Sequence, residues 1–598
     1  MLRDIRKNKI FSRRSLILGA IQTTLGASLL LRLSYLQIFK HKEYSGKSDN
    51  NSIKPIIKPA GRGKVLDRYG IALTENRTNF RLLLYLNSKR SSEKIIEKIS
   101  EILELSAEKK QSLLEKLQNA KRKRIISLIE NLDYAELSRI ESFSHKLEGV
   151  SIESGFLRNY LYGHETAHFL GYVSLPSEAE IDENQQALFL HPDFRIGKSG
   201  IEKSFDEALR GKYGVKYVEV DVRENPIKTL STSKEIEGST LNLTIDLELQ
   251  KYVTNRIKNI VASVVVMNVK SGEILSYASS PSFDPNEFVE GISTKYWQEL
   301  IDNPKKPLSN KPISALYPPG SPFKLMTALA ALENNVNPLK KVFCNGSYRI
   351  GRRTFHCWKE EGHGNVDMSD AIKHSCNTYF YTIANQIGNE KIAKIAREFG
   401  YGQKIDISLF GSKSGLVPDD EWMQKYFKRP WQGGDTLNMA IGQGSLLATP
   451  IQMALVCARI ANGGVPIKPY LVKNHNINKQ FEALKDEKIV KSSHLQIIQQ
   501  GMNRVMNETG GTAYFSRIYK KDFEMAGKTG TAQIISKREK EMSAYEKTNL
   551  ANHGLFIGFA PVSNPKYSIS VVVEHGGSGS GSAAPVARDI MMFIQGLK

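Results

Sequence analysis

Pro318-Pro319-Gly320-Ser321-Pro322-Phe323-Lys324 decides the reading of this chain. A turn-forming run stops there, and a helix begins at a serine. Leu325, Met326, Ala328, Leu329, Ala331 and Leu332 follow, an Ala/Leu-rich run that predicts a buried helix. Ser321 falls at the N-cap or in the first turn, and Pro322 suits the first helical position. Lys324 stands three residues on, so amine and hydroxyl share one helix face. Burial and nearby cations lower a lysine pKa, and a neutral amine can take a hydroxyl proton. The stretch reads as an activated serine nucleophile. Ser-x-x-Lys alone says little. Ser91/Lys94, Ser106/Lys109, Ser231/Lys234 and Ser563/Lys566 match it in polar contexts, where a solvated helix or loop is the plainer reading.

Two further stretches change the weight. Ser375-Cys376-Asn377 precedes Thr378-Tyr379-Phe380-Tyr381, and its Ser and Asn can both face a cleft from a turn between helices. Lys528-Thr529-Gly530-Thr531-Ala532-Gln533 comes later, ahead of the strand-like Gly554 to Ala560. Gly530 has no side chain, which is expected to let a substrate backbone approach closely. Ser-x-x-Lys, Ser-x-Asn and Lys-Thr-Gly, in this order, form the motif set of class A β-lactamases and penicillin-binding proteins.

Through these motifs the chain resembles a class B penicillin-binding protein, a peptidoglycan D,D-transpeptidase. The likeness extends over nearly the whole length. Gly61-Arg62-Gly63-Lys64-Val65-Leu66-Asp67-Arg68-Tyr69-Gly70 and Gly197-Lys198-Ser199-Gly200-Ile201-Glu202, with Leu209-Arg210-Gly211, look like its N-terminal signatures. Trp431-Gln432-Gly433-Gly434-Asp435 and Ile441-Gly442-Gln443-Gly444 look like its later motifs. The stretch from Cys344 to Tyr381 is nearest the elongation type, penicillin-binding protein 2, although Asn377 stands where many of these carry Asp.

The resemblance implies a multidomain α+β and α/β protein. A single transmembrane helix and an elongated pedestal precede a serine β-lactamase-like transpeptidase domain with a central sheet flanked by helices. It implies that Ser321 attacks the penultimate D-alanyl carbonyl, with Lys324 as base and Ser375 relaying a proton. Asn377 would hold Lys324 and the substrate amide. Lys528 would keep the site electropositive, Thr529 and Thr531 would bind the terminal carboxylate, and the Ser321 and Thr531 N–H groups would form the oxyanion hole. Stem peptides and β-lactams are the implied ligands, and a SEDS-family glycosyltransferase of the RodA type the implied membrane partner. The rival readings are a D,D-carboxypeptidase or β-lactamase-like hydrolase, and a non-catalytic β-lactam sensor or polymerase-activating scaffold.

Cys344, Cys357 and Cys376 fall close together with His363 among them, while Cys457 sits in an apolar helical run and reads as a core thiol. The spacing leaves two readings open: a Cys3His zinc shell, or a disulfide with a leftover thiol. The resemblance implies one structural zinc, with Cys344 and Cys357 standing where other members have Asp.

Residues 1–14 carry Arg3, Arg6, Lys7, Lys9, Arg13 and Arg14, then Ser15 to Leu31 has no charge. The expected layout is a cytoplasmic tail over 1–14, a transmembrane anchor over 15–39, a pedestal over 40–235 and a transpeptidase domain over 236–598. The positive-inside rule places the catalytic part on the outer, periplasmic side of the inner membrane. Net charge is +21. With no nucleic-acid motif or aromatic-interleaved basic patch, that charge suits an anionic membrane surface or wall polymer rather than nucleic acid. Residues 91 to 150 predict helices, with Ile95, Ile96, Ile99, Ile102 and Leu103 on one face. A helical block is expected from 321 to about 460.

Overall fold

The structure is a computed structural model that describes residues 2–40, 53–58, 60–85, 89–119, 125–147, 149–180, 194–220, 226–473, 484, 487–533 and 551–597. The basic run Lys121 to Arg124, most of the 40–60 linker and nearly all of the charged segment 536–551 lie outside the described residues. The chain forms two compact units, Met1–Ala60 with Lys212–Glu237, and Gly61–Gly211 with Gly238–Lys598.

In the first unit a helix runs over Leu2–Ser34. Its stretch from Ser15 to Phe39, extended by one wider turn, is long and apolar enough to cross a bilayer. Leu16, Ile17, Leu18, Ile21, Leu25 and Leu29 stand exposed on it, as a lipid-facing surface requires. The same unit holds a three-stranded antiparallel sheet, with Gly214–Val220 between Ile53–Lys58 and Pro226–Ser233.

In the second unit, strand Thr74–Tyr85 pairs antiparallel with both Ile125–Ile129 and Val150–Tyr160. Helices Lys89–Ile102 and Ala107–Asn119 cover it. Ile95, Ile96, Ile99 and Leu103 are buried there against Leu82, Leu84, Ile126 and Leu128. Strand Ile125–Ile129 interrupts what the sequence reads as continuous helix. Its β-branched residues find a partner strand, and tertiary pairing overrides the local helical composition.

The N-terminal signatures have a physical reason. Glu202 is fully buried and accepts from Arg158 Nε at 2.7 Å and Arg62 Nε at 2.6 Å. Arg62 also donates to Asp206 Oδ1 at 2.8 Å, and Arg158 to the Gly63 carbonyl at 2.8 Å. Residues far apart in sequence are thereby fastened by charge-assisted hydrogen bonds.

A five-stranded antiparallel sheet organises the C-terminal part. Its strands are β1 (Ala262–Asn268), β2 (Ile274–Ser280), β3 (Ala526–Ala532), β4 (His553–Ala560) and β5 (Tyr567–Val573), in the order β2-β1-β5-β4-β3. β3 is an edge strand. Every residue of β2 is buried, so the sheet is covered on both faces. Helix Pro450–Ala461 is buried throughout, begun by a Thr449/Gln452 capping box with Pro450 at its first turn. Its Cys457 is a core thiol that burial pushes up. Helix Ala584–Ile594 packs against β4 and β5.

The block from 321 to 460 is not purely helical. It contains two small antiparallel pairs, Val342–Cys344 with Gly364–Val366, and Ser347–Ile350 with Arg353–His356. These strands of three and four residues are too short to show a period-2 pattern.

Candidate active site

Gly320 has φ 58, a conformation that favours glycine, and it turns the chain into a single 3₁₀ turn over Ser321–Phe323. Ser321 is thus the first residue of the turn, and Lys324 opens helix Lys324–Glu333. The turn is fastened from two sides. Gly320 N donates to Gly442 O at 2.9 Å, and a Cβ on Gly320 would lie 2.8 Å from Thr531 O. Lys324 through Leu332 are all buried, which carries the amine into the interior.

Ser375-Cys376-Asn377 links helix Met368–Lys373 to helix Asn377–Ile387. Ser375 has φ 55, unusual for a residue with a side chain and a source of local strain. Lys324 Nζ donates to Asn377 Oδ1 at 2.6 Å and to Ser375 O at 2.8 Å, and lies 3.2 Å from Ser375 Oγ. Ser375 Oγ lies 2.9 Å from Ser321 Oγ. Lys324 Nζ thus donates to Ser375 Oγ, which donates to Ser321 Oγ, a two-step chain along which a proton can pass the other way once the hydroxyls rotate.

Burial lowers the Lys324 amine to about 8. Lys528 on β3 is also fully buried, and burial together with the Lys324 charge pushes its amine well below the usual lysine range. Its amine donates to Thr529 O over a long 3.3 Å. The charge on Lys324 disfavours a second charge on Lys528, since two unpaired charges at one buried place are costly.

Gly530 is needed for a different reason than the sequence suggests. A Cβ there would lie 2.5 Å from Pro322 Cδ, so the nucleophile turn itself fills the space. Gly579 packs so closely that its own Cβ would stand 2.4 Å from Gly530 O. Two residues outside the Ser-x-x-Lys, Ser-x-Asn and Lys-Thr-Gly motifs hold β3. Gln443 Nε2 donates to Thr531 O at 2.9 Å, and the Thr512 and Thr529 hydroxyls lie 2.8 Å apart.

A serine, a lysine and a Ser-x-Asn turn are joined by hydrogen bonds against an edge strand bearing Lys-Thr-Gly, and the chain that carries them is similar to known proteins. The profile "Penicillin binding protein transpeptidase domain" matches residues 262–592, and "Penicillin-binding Protein dimerisation domain" matches 57–243. The chain belongs to the penicillin-binding protein transpeptidases. It is 32% identical to the peptidoglycan D,D-transpeptidase MrdA of Haemophilus influenzae, over 98% of this chain and 92% of that protein. Penicillin-binding protein 2 of Helicobacter pylori, solved in complex with MreC, superposes with a TM-score of 0.78 at 31% identity, over 91% of this chain and 99% of that one. A chain solved in a study titled "Structural coordination of polymerization and crosslinking by a peptidoglycan synthase complex" gives 0.70 at 27%, over 98% of both.

This penicillin-binding protein also gathers Cys344, Cys357, His363 and Cys376. One ligand atom from each lies within 4.8 Å of the others. His363 Nδ1 is 3.6 Å from Cys344 Sγ and 3.5 Å from Cys357 Sγ. All four cysteines of the chain are free thiols, so no disulfide joins the cluster. A tetrahedral zinc with ordinary Zn–S and Zn–N bonds has N···S edges of about 3.6 Å, and the two His363–thiol distances match such edges. The Cys357 thiol is held low by its hydrogen bond with Cys376, whose own thiol is pushed up. The cluster adjoins the catalytic turn: Cys376 is part of it, and Cys357 Sγ accepts from the Asn377 N–H at 3.3 Å.

Thr512 and Trp358 carry no motif signal and were not legible as site residues. Gln443 lies in a quoted motif, and a glutamine between two glycines in a loop was its only hint.

Proposed function

We infer that the protein is a peptidoglycan D,D-transpeptidase that cross-links stem peptides during cell-wall elongation and rod-shape maintenance. One observation carries the reading: Ser321 Oγ is joined through Ser375 Oγ to Lys324 Nζ beside an edge strand bearing Lys528, Thr529 and Thr531. Ser321 Oγ bonds to the penultimate D-alanyl carbonyl carbon, and its proton passes through Ser375 to neutral Lys324. The oxyanion sits in the corner where the Ser321 turn meets Thr531, toward their N–H groups. Collapse of the tetrahedral species breaks the amide bond, and D-alanine leaves with the returned proton. An amine of a second stem peptide then attacks the acyl-enzyme and restores Ser321–OH.

The terminal carboxylate of the donor lies toward Lys528, Thr529 and Thr531. Its charge favours the protonated form of Lys528, which makes the proton on Lys324 easier to lose. Asn377 holds Lys324 and the substrate amide. A β-lactam presents a similar carboxylate and carbonyl, and acylates the same serine.

The Cys3His cluster is proposed to hold one structural zinc through Cys344, Cys357, His363 and Cys376. Bound there, the ion supplies charge neutralisation for the thiolates and a rigid anchor for the Ser375 turn. The N-terminal helix is proposed as a single-pass anchor in the inner membrane, with residues 1–14 cytoplasmic and the catalytic unit periplasmic, supported by the basic residues before the apolar run. Proposed partners are a RodA-type glycosyltransferase in the membrane and an MreC-like protein, the latter supported by the Helicobacter pylori complex.

The test is intact-mass measurement of the full-length protein after incubation with benzylpenicillin. One adduct per wild-type chain and none on Ser321→Ala is expected. An adduct that persists on Ser321→Ala overturns the assignment.

A further inference from the structure

Residues 356–358 make three successive contacts with the Ser375 turn. His356 O accepts from Asn377 Nδ2 at 3.2 Å, and Cys357 Sγ accepts from the Asn377 N–H at 3.3 Å. The Trp358 indole N–H lies 3.1 Å from His374 O and 3.1 Å from Ser375 O. This third contact involves no metal-ligand atom.

The Ser375 carbonyl is the unusual acceptor. It takes the Trp358 indole from one element and Lys324 Nζ, at 2.8 Å, from another. Its residue is the one with φ 55, so the backbone there has easier conformations to fall into. Falling into them would turn the Ser375 hydroxyl away from Ser321, 2.9 Å distant. Trp358 itself is 59% exposed, so core packing does not account for it. Its ring meets His363 edge-on at 5.2 Å, and its one polar atom is committed to the catalytic turn.

We propose that Trp358 is a positioning residue for acyl transfer, whose indole N–H holds the Ser375 carbonyl and thereby keeps the Ser375 hydroxyl between Ser321 and Lys324. The inference rests on the transpeptidase reading and adds a residue that none of the motifs contains. Two functions of one side chain separate cleanly. The ring packs on His363, and the N–H holds the turn. Trp358→Phe removes the second and keeps much of the first.

The experiment follows acylation of full-length protein in detergent by benzylpenicillin, as rate against concentration. Trp358→Phe is expected to lower the saturating acylation rate about tenfold, with the half-saturating concentration, zinc content and Tm as in wild type. A rate within about twofold of wild type overturns the proposal. If Trp358→Phe loses zinc or melts early, 3-benzothienylalanine placed at position 358 by nonsense suppression decides. It keeps the indole shape with sulfur in place of N–H, so a tenfold loss supports the role and a wild-type rate overturns it. Failure of wild-type protein to acylate would sink the transpeptidase reading and this inference together. Equal acylation of wild type and variant would sink this inference alone.

Discussion

Glu202 and Lys324 are both fully buried, and their surroundings treat charge in opposite ways. Glu202 meets two guanidinium groups, from Arg62 and Arg158, and Arg62 meets Asp206 as well. Burial opposes the carboxylate, but the two arginines outweigh it and hold its pKa below the usual range. Lys324 meets neutral acceptors, and its buried neighbour Lys528 is another amine. Both amines are pushed down. One cluster is complete and serves the fold, whereas the other is left incomplete, which makes its proton mobile. Reactivity here is a charge the protein has declined to pair.

The largest effect expected on this contrast is at the nucleophile. Ser321→Ala removes the adduct entirely, and Lys324→Ala slows acylation by at least ~10²-fold, read by penicillin labelling. On the structural side, Glu202→Ala leaves two arginines buried without their carboxylate. A loss of about 3–5 kcal/mol is expected in denaturant unfolding, with acylation per folded molecule unchanged. If Glu202→Ala costs under about 1 kcal/mol, the cluster is not the fastening described.

Lys528→Met should separate the two regions further. It deletes a poorly bonded buried amine, so Tm should hold or rise while acylation falls by ~10². A clear drop in Tm would show that the amine is paired after all. Gly530→Ala is milder. Its Cβ meets Pro322 Cδ at 2.5 Å, and a shifted turn should slow acylation by about tenfold.

The pH profiles should rise in the same sense but over separate ranges, at about 8 for Lys324 and in the acid range for Glu202. Acylation needs neutral Lys324, so its rate should climb about tenfold per pH unit and level off above about 8. Lys324 binds its proton more weakly folded than unfolded. It therefore penalises stability below about 8, and the penalty fades as pH rises toward the unfolded lysine value. Glu202 has a lowered pKa, so its contribution is present above the unfolded carboxylate range and is lost as pH falls through the folded value. An acylation profile flat from pH 6 to 9 would remove Lys324 from the role of base.

Much of this was legible in sequence, for reasons that can be named. Ser321 could be placed because Gly, Pro and an Ala/Leu run punctuate the chain locally. β1 and β2 carry a local signal too, since Lys270-Ser271-Gly272 separates two apolar runs. The Arg62–Glu202 contact could not, since nothing local ties a loop arginine to a glutamate 140 residues on. The positive φ of Ser375 was hidden for a similar reason: its strain is imposed by Lys324 and Trp358, which arrive from other elements. The glycine of Lys-Thr-Gly could be picked out, but not that its missing Cβ makes room for Pro322, which arrives from a distant turn.

Gln443 gives β3 a property of its own. An edge strand ordinarily invites any extended chain to add to it, and proteins blunt such edges with charge, bulges or cover. Here the Thr531 carbonyl, at the catalytic end, already receives the Gln443 amide. The glutamine thus occupies one rung of that edge. A ligand that lies down as a further strand must share that oxygen or displace the amide, whereas a stray peptide with no reason to do so finds the rung taken. Selectivity at this edge would then be written in main-chain atoms, and a peptide ligand N-methylated one position at a time would spell it out.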